Sequence, residues 1–457
     1  MSEQGLVASV AKMRAAGANE PAIEVFSHYY AEAAAGVTGM IPETTIDPLT
    51  DPPQLSDVVI DEQTARDAIA RTVIIKLNGG LGTSMGLDQA KTLLPVRDGL
   101  SFLDLIVRQI TAARATYDAT LPLLFMNSFR TRDDTLAHLE KYPDLPVAGL
   151  PVDFLQNAEP KITADTFEPV EWPADPTLEW CPPGHGDVYT ALVGSGVLDA
   201  LLAAGMKYAS ISNGDNLGAA PDAELAGWFA SSGAPYAAEI CPRTVNDRKG
   251  GHLALRKSDG QLILRDTAQT PAEDMDYFTD EFRHPYFHTN NLWIDLEQLK
   301  AALQQRGAVL GLPLIYNVKN VDPSDASSPK VIQLETAMGA AIEVFKGATA
   351  IAVPRSRFQP VKTTNELLLL RSDVFDLGND SRLNQTVAEV PRVDLDGHYY
   401  KLIDDFEARV TVPPSLRAAT SFVVRGDWTF DRPVSAVGEV EYHDLGRPSV
   451  AGVDDPA

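Results

Sequence analysis

The run Leu77-Asn78-Gly79-Gly80-Leu81-Gly82-Thr83-Ser84-Met85-Gly86 carries four glycines, and Lys91 follows just beyond it. Glycine lets a backbone turn sharply and approach a ligand closely. Successive N–H groups in such a loop form a concavity for phosphate oxygens, and Lys91 is near enough in sequence to reach the same phosphates. Two common phosphate loops do not fit. No register supplies Gly, four residues and Gly-Lys-Ser/Thr, and Met85 stands where a dinucleotide loop has its third glycine. One glycine would mean a tight turn and no more; four glycines with a lysine favour phosphate.

The elements around this loop predict an α/β fold. Residues 72–77, Thr-Val-Ile-Ile-Lys-Leu, form a short apolar run rich in β-branched side chains, as in a strand buried on both faces. Ser101, with Asp104 three places on, opens a helix whose buried face is Phe102, Leu105, Ile106 and Ile110. Residues 121–126 and 208–211 read as further buried strands. Strands alternating with helices predict a mostly parallel sheet covered on both sides. Residues 3–35 read as one or two helices. Pro42, Pro48, Pro52 and Pro53 mark an extended stretch, and a helix starts at Thr364 after the 355–362 loop. Beyond about Val390, short strands are expected at 408–412, 421–424 and 434–442. The expected division is 1–70 helical and extended, 71–375 catalytic, and 376–457 a small β domain. Residues 453–457 read as a frayed acidic tail.

With 457 residues, the chain is too long for one ordinary core. A net charge of −25 argues against nucleic acid or an anionic membrane as partner. It does not exclude small phosphorylated ligands, because a few lysines and a metal ion reverse the field inside one cleft. Two cysteines, Cys181 and Cys241, exclude a disulfide scaffold and fit a reducing compartment. With no apolar run of membrane-spanning length, the expectation is a cytoplasmic protein. No histidine pair has zinc-ligand spacing, and no Ser/His/Asp set has local support.

Further motifs follow the glycine-rich run in order: Pro182-Pro183-Gly184-His185-Gly186-Asp187, Ser212-Asn213-Gly214-Asp215-Asn216-Leu217-Gly218, Lys249-Gly250-Gly251 and Asn290-Asn291-Leu292-Trp293. Then come Gln333-Leu334-Glu335-Thr336-Ala337-Met338-Gly339 and Phe358-Gln359-Pro360-Val361-Lys362-Thr363-Thr364. Together, over residues 71–375, they resemble the eukaryotic-type UTP–glucose-1-phosphate uridylyltransferase family. The resemblance implies a Rossmann-like core with a mostly parallel mixed sheet and a small C-terminal parallel β-helix. It also implies the Mg²⁺-dependent reaction UTP + glucose 1-phosphate = UDP-glucose + pyrophosphate.

By the same resemblance, Leu77, Asn78, Gly79 and Gly80 bind the uridine and phosphates, with Gly79 and Gly80 also meeting the sugar phosphate. Lys91 and Lys362 neutralise phosphate charge. Gln156 reads the uracil edge, a task suited to an amide that both donates and accepts. Gly184 packs on the base, and His185 faces the sugar phosphate. Asn213 and Gly214 meet ribose and substrate, Asp215 holds Mg²⁺, and Asn290, Asn291 and Glu335 bind sugar hydroxyls.

Each residue also has a plainer reading. Asp215 fits a helix cap as well as a metal ligand, although it ends a buried strand where open α/β sheets bind ligands. Lys362 alone reads as a solvated loop lysine. His185, between two glycines, fits a backbone hydrogen bond, Asn290 and Asn291 fit a turn, and Glu335 fits a first-turn helix acid. In the reaction itself, an already ionised phosphate oxygen attacks the α-phosphorus in line, so catalysis is positioning and charge neutralisation.

The chain departs from the family pattern at Leu87, at Gln89-Ala90, at Ala158 and at His252. The nearest rival is a related uridylyltransferase acting on N-acetylglucosamine 1-phosphate or on several sugar 1-phosphates; Ser84-Met85, where the N-acetylglucosamine relatives carry an arginine, favours glucose. A silent nucleotide-binding or scaffold protein is the rival from another class. The sequence leaves the oligomeric state open, with the C-terminal β domain as the candidate surface for a homo-oligomer.

Overall fold

The computed structural model describes residues 2–454 apart from 245, 246, 248 and 249. Lys249 of the Lys-Gly-Gly motif and residues 455–457 of the acidic tail lie outside the described residues.

A ten-stranded mixed sheet forms the centre. Its middle strand, Thr72–Asn78, pairs in parallel with Tyr208–Asn213 on one side and Leu123–Asn127 on the other, and Asp153–Leu155 continues the parallel half. Strands enclosed on both edges and both faces are near-continuously apolar. Accordingly Val73, Ile74 and Ile75 are each at most 2% exposed.

The other half is largely antiparallel. Tyr286–Asp295 runs against Tyr208–Asn213 and Tyr236–Pro242, and Gly251–Arg256 forms a hairpin with Leu262–Asp266. The sheet is therefore mixed, and the mostly parallel pattern expected from the sequence holds for the half that carries the glycine-rich loop. The proline-marked stretch joins the sheet: Ile46–Pro48 adds an edge strand beside Gly251–Arg256. Pro48, with no N–H to give, sits at the end of an edge strand, where none is needed.

The first 35 residues form two helices, Glu3–Ala15 and Glu20–Ala34, capped by Ser2 and Asn19. Met13, Ile23, Phe26 and Tyr30 pack on Ile162, Leu314, Ile332 and Leu334 of a second, three-stranded sheet. Helix Phe102–Tyr117 begins with the Ser101–Asp104 capping box and buries Phe102, Leu105, Ile106 and Ile110.

In the last quarter, Arg392–Leu395, Ser415–Val424 and Ser435–Tyr442 pair in parallel, as do Trp428–Thr429 and Ser449–Val450. Inside, Tyr442 meets Phe422, Trp428 and Phe430 edge to face. The strand expected at 408–412 is not formed. Ala408 and Arg409 end helix Ile403–Arg409, and Val410 makes only an isolated bridge to Phe430. Burial of Ile403 and Phe406 three positions apart carries the helix through Arg409, and the Val-Thr-Val run that follows forms no strand.

Candidate active site

The central strand ends at Asn78, and its glycine-rich continuation is shaped by close contacts. A Cβ at Gly79 would lie 2.6 Å from Gln156 Oε1, and one at Gly214 would lie 2.9 Å from the Leu77 carbonyl. Gly82 has φ +72°, and a Cβ there would meet Leu87 at 2.8 Å and Lys91 at 3.3 Å. Leu87, one of the departures from the family pattern, is thus a buried support beneath the loop. The Gly214 N–H donates to the Leu77 carbonyl at 2.9 Å, tying the ends of two neighbouring parallel strands. Asn78 turns its side chain inward: its amide donates to Asn127 and Thr135 and accepts from Thr92. Its backbone carbonyl accepts from Thr131 Oγ1 at 2.7 Å.

Lys91 donates to Asp215 Oδ2 at 2.5 Å and to the Val361 carbonyl. It therefore joins the end of strand Tyr208–Asn213 to the 355–362 loop. The cleft at this junction is lined by His185, Asn213, Asp215, Asn290 and Lys362, all expected from the sequence, together with Asp266 and His288. Lys362 Nζ lies 6.0 Å from the centre of the Phe287 ring.

The imidazole of His185 accepts at Nδ1 from the Met338 N–H at 3.0 Å. Burial pushes its pKa down, against the pull of Glu335, so the ring is neutral and its remaining proton sits on Nε2, a donor suited to a phosphate or hydroxyl oxygen. Asn290 has φ +56° in a bulge of strand Tyr286–Asp295, where the register to Tyr236–Pro242 slips. Asparagine tolerates this left-handed conformation, and a bulge re-aims a side chain. The twin asparagines therefore divide: Asn290 reaches the cleft, and Asn291, 1% exposed, is internal.

The Gln156 region forms a separate wall. Gln156 Nε2 donates to the Gly184 carbonyl at 2.9 Å. A Cβ at Gly184 would meet the Thr336 carbonyl at 2.4 Å, so only glycine lets this turn lie against strand Lys330–Thr336. Asp187 accepts from the backbone and side-chain N–H groups of Asn157 at 2.7 and 2.8 Å, which fixes Gln156 beside Gly184. Burial pushes the Asp187 carboxyl up to about 7, against those two hydrogen bonds. Ala158 lines an adjoining apolar groove with Phe129, Leu155 and Trp180. Glu335 lies in strand Lys330–Thr336, not in a helix, and pairs with Lys319 at 3.0 Å; it flanks the cleft without lining its deepest part.

Behind the cleft, Glu239 holds Arg357 by two bonds of 2.7 and 2.9 Å, with both side chains at most 7% exposed. Trp293 and Asn291 also donate to Glu239. Lys76, buried in the central strand, donates to Ser212 Oγ and the Ala219 carbonyl, and burial pulls its pKa down to about 7. Glu239→Ala would strand a buried guanidinium. The expected cost is about 3–5 kcal/mol, read as a lowered urea midpoint with unchanged slope.

Sequence reasoning missed Asp266, which ends strand Leu262–Asp266 at the cleft and whose carboxyl is raised by burial. Its position at a strand end was the available signal. His252 stacks on His284 at 3.9 Å and is fully buried, so this departure is not a cleft residue. Both cysteines are free and buried.

Among the described residues, no group of three or more His, Cys, Asp or Glu forms a ready-made metal cage. Mg²⁺ needs none, since it keeps waters and is held by one or two carboxylates plus substrate phosphates. Asp215, in a cleft with two lysines, fits that donor set.

A sheet whose parallel strands end in a phosphate-sized glycine loop, beside a carboxylate and two lysines, defines a nucleotidyltransferase. Comparison with known proteins narrows the class. The family model described as UTP–glucose-1-phosphate uridylyltransferase matches residues 23–436, and the chain belongs to that family. It is 38% identical to the potato (Solanum tuberosum) enzyme of that name over 88% of this chain and 81% of the relative. It is 37% identical to the barley (Hordeum vulgare) enzyme over 95% of this chain and 91% of the relative.

Among solved structures, UDP-glucose phosphorylase from Trypanosoma brucei superposes with TM-score 0.91 at 43% identity, over 99% of this chain and 98% of that one. A variant of UDP-glucose pyrophosphorylase from Leishmania major, in complex with UDP-glucose, gives TM-score 0.92 at 42% identity, over 98% and 97%.

Proposed function

We propose that this chain joins UTP to glucose 1-phosphate, giving UDP-glucose and pyrophosphate, in the cleft between the glycine-rich loop and Lys362. The observation that carries the reading is the meeting of Lys91, Asp215 and Lys362 at one strand end, in a chain of this family.

Uracil lies against Gly184, its edge read by Gln156, and the phosphates pass along the backbone of Leu77, Asn78, Gly79 and Gly80. The glucose lies near Asn290 and Glu335. His185 Nε2–H, Asn213 and the Gly214 backbone orient the sugar phosphate and ribose. A phosphate oxygen of glucose 1-phosphate attacks the α-phosphorus of UTP in line. The new P–O bond forms as the bond to the β-phosphate bridging oxygen breaks, and its electrons leave with pyrophosphate. No proton need be removed, because the attacking oxygen is ionised at neutral pH. Lys91 and Lys362 hold the phosphates and neutralise charge on them as the transition state forms. Mg²⁺, held by Asp215, would supply further charge neutralisation between phosphate oxygens.

Gln156→Ala is expected to raise KM for UTP about tenfold or more, the worth of roughly one buried hydrogen bond. It should also weaken discrimination against CTP. Steady-state kinetics with both nucleotides checks this.

The units proposed are 1–70, 71–375 and 376–457. The last is read as a short parallel β-helix, supported by its parallel pairings, and as an association surface for a homo-oligomer, supported by the exposed Val437 on its outer strand. A cytoplasmic location is supported by two free, buried cysteines. Among the described residues, no single helix is long and apolar enough to cross a membrane. The reaction is tested in reverse: with UDP-glucose, pyrophosphate and Mg²⁺, the protein should form UTP, and failure to do so contradicts the assignment.

A further inference from the structure

Asn216 follows Asp215 and is 1% exposed. Every hydrogen-bonding capacity of its amide is used across the strand end. Its Nδ2 donates to Asn291 Oδ1 at 3.0 Å and to the Arg357 carbonyl at 3.1 Å. Its Oδ1 accepts from the Gln359 N–H at 2.8 Å and the Gly218 N–H at 3.2 Å. Its backbone bridges Pro360 in an antiparallel pair.

The loop that carries Lys362 is therefore fastened at residues 357, 359 and 360 to the residue beside Asp215. Arg357 is in turn locked to Glu239, and Asn291 donates to both Glu239 and the Arg357 carbonyl. Asn216 does not line the cleft. The side chain links the turn after strand Tyr208–Asn213, which carries Asp215, to the loop that carries Lys362, and is braced by Asn291 of strand Tyr286–Asp295.

Resting on the reading of the cleft given above, we propose that Asn216 is a positioning residue: it sets Lys362 against Asp215, so that both reach the phosphates of one bound ligand. The chemistry is in-line displacement with little covalent help, so its rate depends on placement. A displacement of about 1 Å can cost ~10²-fold. An ordinary buried asparagine, serving the fold alone, would affect activity independently of Lys362.

The test is a double-mutant cycle on the full chain, with thermal unfolding followed in parallel. Asn216→Asp keeps the oxygen that accepts from Gln359 and Gly218 and removes both amide hydrogens. It should lower kcat about tenfold or more, with KM for UTP within about threefold. In a Lys362→Ala background the same substitution should cost less than about twofold, because the group it positions is gone. Equal fold losses in both backgrounds, or an unchanged kcat in the single variant, would overturn the proposal.

Hydrogen exchange on the unmodified chain gives a readout that needs no variant to fold. The Gln359 amide should exchange as slowly as amides of the central strand Thr72–Asn78, and fast exchange would overturn the clamp. Absence of pyrophosphate release by the unmodified chain would count against the assigned reaction, while Gln359 protection would still decide whether the clamp exists.

Discussion

Lys362→Ala is expected to lower kcat by about 10²–10³-fold while KM for glucose 1-phosphate changes less than about threefold. The split follows from where the charge grows. On the proposed reading, the phosphates in the ground state are solvated and shared among the glycine loop and Lys91. In the transition state, charge develops on the oxygens between the α- and β-phosphorus as pyrophosphate departs. Lys362 lies on the cleft wall formed by the 355–362 loop, across from the strand end that carries Asp215. An ammonium group fixed there stabilises the transition state more than the bound substrate. Removing it should therefore cost rate rather than affinity. Initial-rate kinetics with both substrates varied would read this directly. A raised KM with unchanged kcat would reduce Lys362 to a uniform binding group.

Asp215→Ala should cost about 10³-fold in kcat and shift the Mg²⁺ concentration for half-maximal rate upward by at least about tenfold. The second effect separates two roles. In the present structure Asp215 pairs with Lys91, so its loss also frees a lysine that joins two walls of the cleft. A role confined to that ion pair would leave the metal dependence unmoved, and Lys91→Ala would mimic Asp215→Ala. A metal-holding role moves the dependence in the Asp215 variant far more than in the Lys91 variant. Rates within about threefold of the parent, with an unaltered Mg²⁺ titration, would contradict the assignment.

The parts of the site legible in the sequence are those made by local rules. The β-branched run 72–77 had to be a doubly buried strand. The glycines after it had to turn closely, and Asp215 had to stand at a strand end. The parts not legible depend on partners far along the chain. Nothing local separates Asn290 from Asn291; the bulge opposite Glu239 and Ile240 sends one to the cleft and the other inward. Nothing local shows that the Asn78 side chain turns inward to tie the ends of two parallel strands through Asn127. Asn216, Glu239 and Arg357 are scattered along the chain and meet only in the fold. A mixed sheet was implied by the resemblance, but the extent of its antiparallel half was hidden, because a buried antiparallel strand is as apolar as a parallel one. At 408–412, β-branched residues suggested a strand, but the helix packed through Ile403 and Phe406 runs to Arg409, and Val410 is left with an isolated bridge to Phe430.

The most direct test of the central claim is pyrophosphate release from UTP and Mg²⁺ with a panel of sugar 1-phosphates. Rapid release is predicted with glucose 1-phosphate, with much slower release from N-acetylglucosamine 1-phosphate and the other members of the panel. Measurable UTP binding with no release from any acceptor would contradict the account and leave a nucleotide-binding protein without turnover.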